Sequence, residues 1–257
     1  MEQKQQKSDP RNLENHFGYR KVEPGEKIKL VQQHFDTVAA RYDFSNTVLS
    51  LGLDRIWRKK AVKMLGLRPG DRILDLCGGT AELALLAAIA AGESGRVTLY
   101  DINRAMMLAG KSKVSDARLD NRITFVQGDA EQLSLASASF DAVMVGFGIR
   151  NLTHIEKGFQ DMNRILKKGG KLLCLEFSQP QTGWFRALYD FYSFYIMPWV
   201  GKILVGSRDA YSYLPESIRL FPSPDDLSRI IESAGFSHVH FKGLTNGIAM
   251  VHLGIKE

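Results

Sequence analysis

Between Arg72 and Glu257 short β-rich runs alternate with helical stretches, and this alternation leaves few folds open. The runs RILDLC, RVTLYDI, RITFVQGDA, FDAVMVGFG and KLLCLEFS read as strands, with helical segments near 80–91, 104–116 and 154–167 between them. Strands joined through helices in this way pair in parallel by right-handed crossovers, giving a sheet covered on both faces. The last two runs, HVHFKGLT and IAMVHLGIK, flank Asn246-Gly247, a dipeptide suited to a hairpin turn. They predict an antiparallel pair that closes a mostly parallel, seven-stranded α/β sheet.

Upstream the pattern changes. Residues 1–12 are polar, without a periodic apolar face, and are expected to form a flexible tail. From Glu26 to about Leu67 apolar positions fall three and four apart, predicting two helices around the polar break DFSN. The expected organisation is therefore an N-terminal helical cap over 13–68 and a main domain over 69–257. Within that domain residues 179–221 interrupt the alternation. Eight aromatic residues (Trp184, Phe185, Tyr189, Phe191, Tyr192, Phe194, Tyr195 and Trp199) crowd into its first half, a density that a routine connection has no need for.

Composition excludes several classes. A chain of 257 residues with 44% hydrophobic content can bury a core and is not a disordered segment. Its two cysteines, Cys77 and Cys174, sit in apolar runs, cannot build a disulfide framework or a four-cysteine metal site, and suggest a reducing compartment. No metal is expected. The longest unbroken apolar run, Leu83 to Ala91, is too short to span a bilayer, and the N-terminus carries no apolar signal core. Cytoplasmic placement is expected. The net charge of +6 would suit an anionic partner but does not by itself name one.

The segment DLCGGTAE, Asp75 to Glu82, lies where the first strand of the main domain meets its first helix. Gly78 and Gly79 permit a sharp turn and close backbone approach, and the helix start offers amides to a polar ligand. The run lacks the third glycine of a dinucleotide fingerprint. The second strand ends in Asp101, followed by Ile102, at a spacing where a carboxylate can accept the hydroxyls of a ribose. The third ends in Gly128-Asp129-Ala130, placed to reach an adenine edge. Three acidic strand ends suit a ligand with a cationic amino acid end, a ribose and an adenine, and repel a pyrophosphate. That description fits S-adenosylmethionine (SAM).

Several longer segments in consistent order then sharpen the picture. HFGYRKV (16–22), FDTVAARYDFSN (35–46), LSLGLDRIWRKKA (49–61), LDLCGGTAE (74–82), FGIRN (147–151), LEFSQP (175–180), YSYLPESIRLFPSPDDL (211–227) and GF (235–236) together resemble the ubiquinone/menaquinone biosynthesis C-methyltransferase family. The resemblance covers nearly the whole chain and implies a Rossmann-like class I methyltransferase fold. It further implies methyl transfer from SAM to a ring carbon of a polyprenylated quinol, demethylmenaquinol first, with the ubiquinone-pathway step also open. Thr80, Asp101, Asp129 and Ala130 match the family's cofactor positions. The chain departs from the family's pattern at Ala81 for glycine, Glu82 for aspartate, Lys168 for proline, and Gly146 for a small hydroxyl residue. The last puts a side-chain cofactor contact at Gly146 in doubt.

Carbon methylation needs an electron-rich ring aligned with the S–CH3 bond, exclusion of water, and a proton acceptor. Arg150 and Asn151 of FGIRN end the fourth strand where the methyl group should lie. Arg150 could hold a quinol oxygen as its anion or a water that takes the proton; the alternative is pairing with an acid such as Glu176 or Asp43. Asn151 could orient the ring or cap a helix. His154, read as one turn into the next helix, is a further basic candidate. Tyr42 and Asp43 are candidates to close over the methionine end. The aromatic insertion is expected to wall the quinol pocket, with a homodimer interface or a resting place on the membrane surface as further uses. The basic helix RIWRKKAVK (55–63) would assist transient contact with anionic lipid. No nucleic acid partner is expected, because GFGIRN stands where base methyltransferases carry an N/DPPY-like motif. Methylation of another small aromatic or polyketide is the rival activity.

Overall fold

The computed structural model describes residues 16–23, 25–200 and 209–257, with side chains from Ser212 onward in the last stretch. The expected tail 1–12 and residues 201–208 of the aromatic insertion lie outside the described residues.

Two short strands, β1 His16–Phe17 and β2 Arg20–Lys21, form an antiparallel ribbon. The cap follows as α1 Glu26–Val38, a 3-10 turn Ala39–Arg41, α2 Tyr42–Leu49 and α3 Leu53–Leu65. The expected break at DFSN is thus wrong: these residues lie inside α2. Asp43 sits in the first turn of α2, where a carboxylate suits the helix dipole, and Ser45 is fully buried. The true break is Ser50-Leu51-Gly52, with Leu51 and Gly52 at φ 54° and 77°. There the Ser50 hydroxyl donates to Asp54 at 2.8 Å and fixes the start of α3.

The main domain runs β3 Arg72–Leu76, α4 Glu82–Ala90, β4 Arg96–Asp101, α5 Arg104–Asp116, β5 Ile123–Gln127, β6 Phe140–Gly146, α6 Ile155–Ile165 and β7 Leu166–Phe177. It continues with α7 Gly183–Phe191, a π-helical turn Tyr192–Ile196, α8 Asp209–Leu220, α9 Pro224–Ser233, β8 Phe236–Leu244 and β9 Ala249–Lys256. The seven strands lie in the order β5-β4-β3-β6-β7-β9-β8. The first five pair in parallel, while β9 slots antiparallel between β7 and β8. The expected sheet is therefore observed, with its reversal of strand direction confined to one side.

Both faces are buried, as the apolar runs require. On one face α3 and α4 pack through Trp57, Ala61, Ala84 and Ala87 onto Ile73, Leu99 and Leu173. On the other, α6 and α9 bring Phe159, Met162, Leu227 and Ile231 against Leu74, Val143 and Cys174. Helix α9 was not read from the sequence, although its signals are local. Ser223 caps it by accepting the Asp226 amide, and Pro224 occupies its first turn.

Two boundaries differ from expectation for backbone reasons. The helix expected to reach 167 stops at Ile165, because Leu166 already pairs with Phe140 and a bulge follows around Gly169, at φ 76°. The final hairpin is not closed by two residues alone: Thr245, Asn246 and Gly247 take left-handed φ in succession, and Ile248 completes the loop. Gly128, after β5, has no room for a side chain. A Cβ there would fall 2.0 Å from the hydroxyl of Tyr100, which is itself buried. Gly128→Ala is expected to lower the unfolding free energy by about 1–3 kcal/mol through overpacking, measurable by urea denaturation.

Candidate functional site

Two cavities meet above the carboxyl ends of β3, β4, β5 and β6. The first, about 110 Å³, is lined by acidic and glycine residues together with apolar ones such as Ile28, Val31, Leu83 and Met106; the second, about 460 Å³, is lined by rings and aliphatic side chains. Phe35, Tyr42, Arg58 and Phe147 border both.

The first cavity is built on the turn from β3 to α4. Cys77, Gly79 and Ala81 all have positive φ, which coils the chain tightly, and the Ala81 amide donates back to the Gly78 carbonyl at 2.9 Å. Ala81, at φ 67°, bears the strain that the family's glycine would relieve. A Cβ on Gly78 would lie 2.5 Å from Leu99 and 3.0 Å from Asp75, so only bare backbone fits. Asp101 accepts the Gly79 amide at 2.8 Å and the Asn103 amide at 2.7 Å. Burial raises its pKa although these amides pull it down. Asp129 accepts the Glu131 amide at 2.9 Å beside Ala130. The roof comes from the cap: Ile28, Val31 and Gln32 of α1 line the cavity, and Asn103 donates to Asp36 of α1 at 2.8 Å.

Asp75 is the least satisfied group here. It is 1% exposed, and neither carboxyl oxygen has a hydrogen-bond partner of good geometry. Burial, with repulsion from Asp101, pushes its pKa up to about 8, and the Ala84 amide and Arg58 offset only part of this. A protonated, orphaned carboxyl lining a cavity is a group waiting for a cationic donor.

The second cavity is walled by Trp57, Phe147 and Phe177 from the sheet side and by Phe185, Tyr189 and Tyr192 from the aromatic insertion. Phe147 and Phe177 lie 4.3 Å apart between centroids, and the Trp57 indole donates to Thr245 at 2.8 Å. Arg150 and Glu176 form a buried ion pair at 2.8 Å, 6% and 1% exposed. Burial works against the Arg150 charge, but Glu176, together with Tyr213 and Tyr42, more than offsets it and keeps the guanidinium protonated. The same side chain donates to the Phe147 carbonyl, while its Nε has no partner. Asn151 accepts the Tyr213 hydroxyl at 2.8 Å, and Tyr213 stacks on Phe17 at 4.2 Å. Burial pushes the Tyr213 phenol up to about 12, so it remains a donor at neutral pH. His34 lines the same cavity. Burial, and then Arg150, lower its pKa to about 4, leaving a neutral imidazole.

Of the residues singled out in the sequence, Tyr42, Asp75, Gly78, Gly79, Thr80, Asp101, Ile102, Asp129, Ala130, Gly146 and Asn151 line the first cavity, and Arg150 and Tyr42 line the second. Some sit differently from expectation. The Thr80 hydroxyl donates to Asp43 at 2.6 Å, and Lys113 holds the other Asp43 oxygen, so this pair fastens α2 to the turn. At Gly146 a Cβ would lie 2.4 Å from Leu83, so only backbone is presented there. His154 precedes α6 as its cap residue and lines neither cavity. Arg58, counted among lipid-facing basic residues, is buried against Asp54 at 2.6 Å. His34, Tyr213 and the ring partners of Phe147 carried no local signal. A charge inside an apolar strand, Glu176 in KLLCLEF, was the one clue to the buried pair.

The strand order, the acidic strand ends and the glycine turn define a class I SAM-dependent methyltransferase fold. Among solved structures a SAM-dependent methyltransferase from Aquifex aeolicus superposes with a TM-score of 0.57 at 16% identity, over 78% of this chain and 89% of that one. Residues 22–256 match the ubiE/COQ5 methyltransferase family. The chain is 41% identical over 249 residues to the ubiquinone/menaquinone biosynthesis C-methyltransferase UbiE of Shewanella sp. (strain W3-18-1), covering 97% of this chain and 99% of the relative. It is 42% identical over 251 residues to the UbiE of Azotobacter vinelandii, with the same coverage. The chain belongs to the ubiE/COQ5 methyltransferase family and is a SAM-dependent C-methyltransferase of the UbiE type.

The Asp75 environment has a measurable consequence for the ligand-free protein. With a folded pKa of about 8 against 3.8 for an ordinary aspartate, the native state holds a proton that the unfolded chain has released. Native stability should therefore fall as pH rises between those values. Asp75→Asn is expected to flatten that slope and to exceed the parent in stability at pH 8, by urea denaturation across the pH range. Equal slopes in the two proteins would contradict a neutral, unpartnered carboxyl.

Proposed function

We propose that the chain methylates a ring carbon of a polyprenylated quinol in respiratory quinone biosynthesis, demethylmenaquinol foremost, with the ubiquinone-pathway step as the second substrate. The observation that carries this reading is the junction of an acidic, glycine-floored cavity with an apolar ring-lined one at Phe35, Tyr42, Arg58 and Phe147. The larger cavity, lined mostly by apolar and aromatic side chains, suits an aromatic ring with an apolar tail.

SAM fits the smaller cavity. Asp75 offers an unsatisfied carboxyl to the cationic amino acid end, and the bare backbone of Gly78, Gly79 and Gly146 leaves room beside it. Asp101 would take the ribose hydroxyls, with Ile102 against the base and Asp129 and Ala130 at its edge. Tyr42 would close the side facing the second cavity, and Thr80 holds the turn through Asp43. When bound, SAM supplies an electrophilic methyl group on a positive sulfur.

The protein's own work is to present the ring in its reactive form. In the reaction the new ring C–C bond forms as the S–CH3 bond breaks and the displaced pair stays on sulfur; the hydrogen on the methylated carbon then shifts as a proton to the former quinolate oxygen, restoring the aromatic quinol, and the one net proton, lost when the quinol ionises, passes to solvent. Arg150 is fixed as a cation and cannot serve as the base. Its unpartnered Nε can donate to a quinol oxygen, favouring the quinolate that feeds electron density to the ring. Glu176 holds the guanidinium in place, and Tyr213, which lines the aromatic cavity, is fixed by donating to Asn151 on the side of the smaller one. Rings from the aromatic insertion exclude water.

Incubation with methyl-labelled SAM and reduced demethylmenaquinone should transfer label to the quinol, and the demethylated benzoquinol precursor should be tried alongside it. Label appearing only on a soluble short phenol would favour the rival small-aromatic activity. Arg150→Gln should lower kcat by roughly 10²-fold or more if donor stabilisation of the oxyanion is lost. It should also cost about 3–5 kcal/mol of stability by orphaning Glu176. The double variant R150Q/E176Q should regain stability in denaturation while remaining slow, which separates chemistry from folding.

A further inference from the structure

We propose that the exposed face of residues 184–199 is a docking surface for an anionic lipid bilayer, seated over the mouth of the aromatic cavity. The proposal rests on reading that cavity as the site of a prenylated substrate, and the face itself is evident without that reading. Along α7 and the π-helical turn, Trp184, Leu188, Phe191, Tyr195 and Trp199 follow one another at helical spacing and are all more than half exposed. The two charged residues of this stretch, Arg186 and Asp190, are only half-exposed, and Asp190 is paired with Arg219. A contiguous apolar strip of this kind on a soluble fold marks a place that is covered in use.

Three features commit the strip to a bilayer. Its ends carry Trp184 and Trp199 with Tyr195 between, the residue types that settle at the level of lipid headgroups. The strip is continuous with the cavity: Leu188, Phe191 and Ile196 are exposed and also line it, as does Leu51, 85% exposed. A second copy of the chain seated here would shut that mouth, whereas a bilayer lets an apolar tail pass through it. Basic charge lies alongside. One helical turn past Leu51, the outward side of α3 presents Arg55, Lys59, Lys60 and Lys63, while Asp54, Trp57 and Arg58 of the same helix line the cavity. No helix among the described residues is long and apolar enough to cross a membrane, so the contact is with the surface.

The test uses the full chain and vesicles of phosphatidylcholine with and without phosphatidylglycerol, by co-sedimentation and by quenching of tryptophan with brominated lipid. Trp184 and Trp199 should be quenched and the buried Trp57 spared. The triple variant W184S/Y195S/W199S, none of whose positions lines the cavity, should bind at least about tenfold more weakly. Lys59→Gln and Lys60→Gln should each weaken binding to the anionic vesicles by roughly fivefold and leave neutral vesicles unaffected. Absence of vesicle binding, binding indifferent to the triple variant, or no preference for the anionic vesicles would overturn the proposal. So would a concentration-dependent dimer that the triple variant abolishes, which would assign the strip to a second copy. Vesicle binding needs neither SAM nor quinol, so it can fail while methyl transfer stands, and the reverse.

Discussion

A parallel sheet covered on both faces has no solvated side, and polar chemistry can enter it only where the strands run out. The whole arrangement follows from that restriction. Asp101 ends β4 and Asp129 and the Arg150–Asn151 pair lie just past strand ends, with backbone amides donating to the two aspartates. Asp75 sits one residue back from its strand end, inside β3, where the protein leaves it poorly satisfied. Its position is tolerated because the carboxyl can remain neutral while it has no partner.

The two cavities handle charge in opposite ways. In the acidic one the Asp75 carboxyl is left without a hydrogen-bond partner, suiting a positive ligand. In the aromatic one the charges are matched in advance, Arg150 with Glu176 and Arg58 with Asp54, so that little net charge faces an oily occupant. Buried pairs of this kind add little stability over apolar residues of the same size. Their value lies in fixing directions, and Arg150 is held from two sides by Glu176 and the Phe147 carbonyl.

Much of this was legible in the sequence because it depends on neighbours along the chain. Strand alternation, the Gly78-Gly79 turn and the acidic strand ends are local patterns, and each lies where local geometry puts it. Apart from α9, whose cap is local, what escaped was tertiary. DFSN reads as a break because its residues are polar, yet Asp43 is drawn into a helix that carries it to Thr80 and Lys113, far along the chain. The ring-lined cavity joins Phe35, Trp57, Phe147, Tyr189 and Tyr213, whose separations follow no period. Asn246-Gly247 marked the hairpin correctly, but the left-handed Thr245 before it and Ile248 after it, which lengthen the loop, are not residues a turn rule selects.

The fastening of the cap has a consequence for the enzyme's working cycle. Helix α1 roofs the acidic cavity and is tied to the sheet rim by the Asn103–Asp36 hydrogen bond, while α2 is tied there through Asp43 to Thr80 and Lys113; the aromatic cavity opens elsewhere, between Leu51 and α7. On the proposed reading the nucleoside would lie under the polar links of the cap and the quinol against the insertion, so that exchange of one reactant need not disturb the side chains that hold the other.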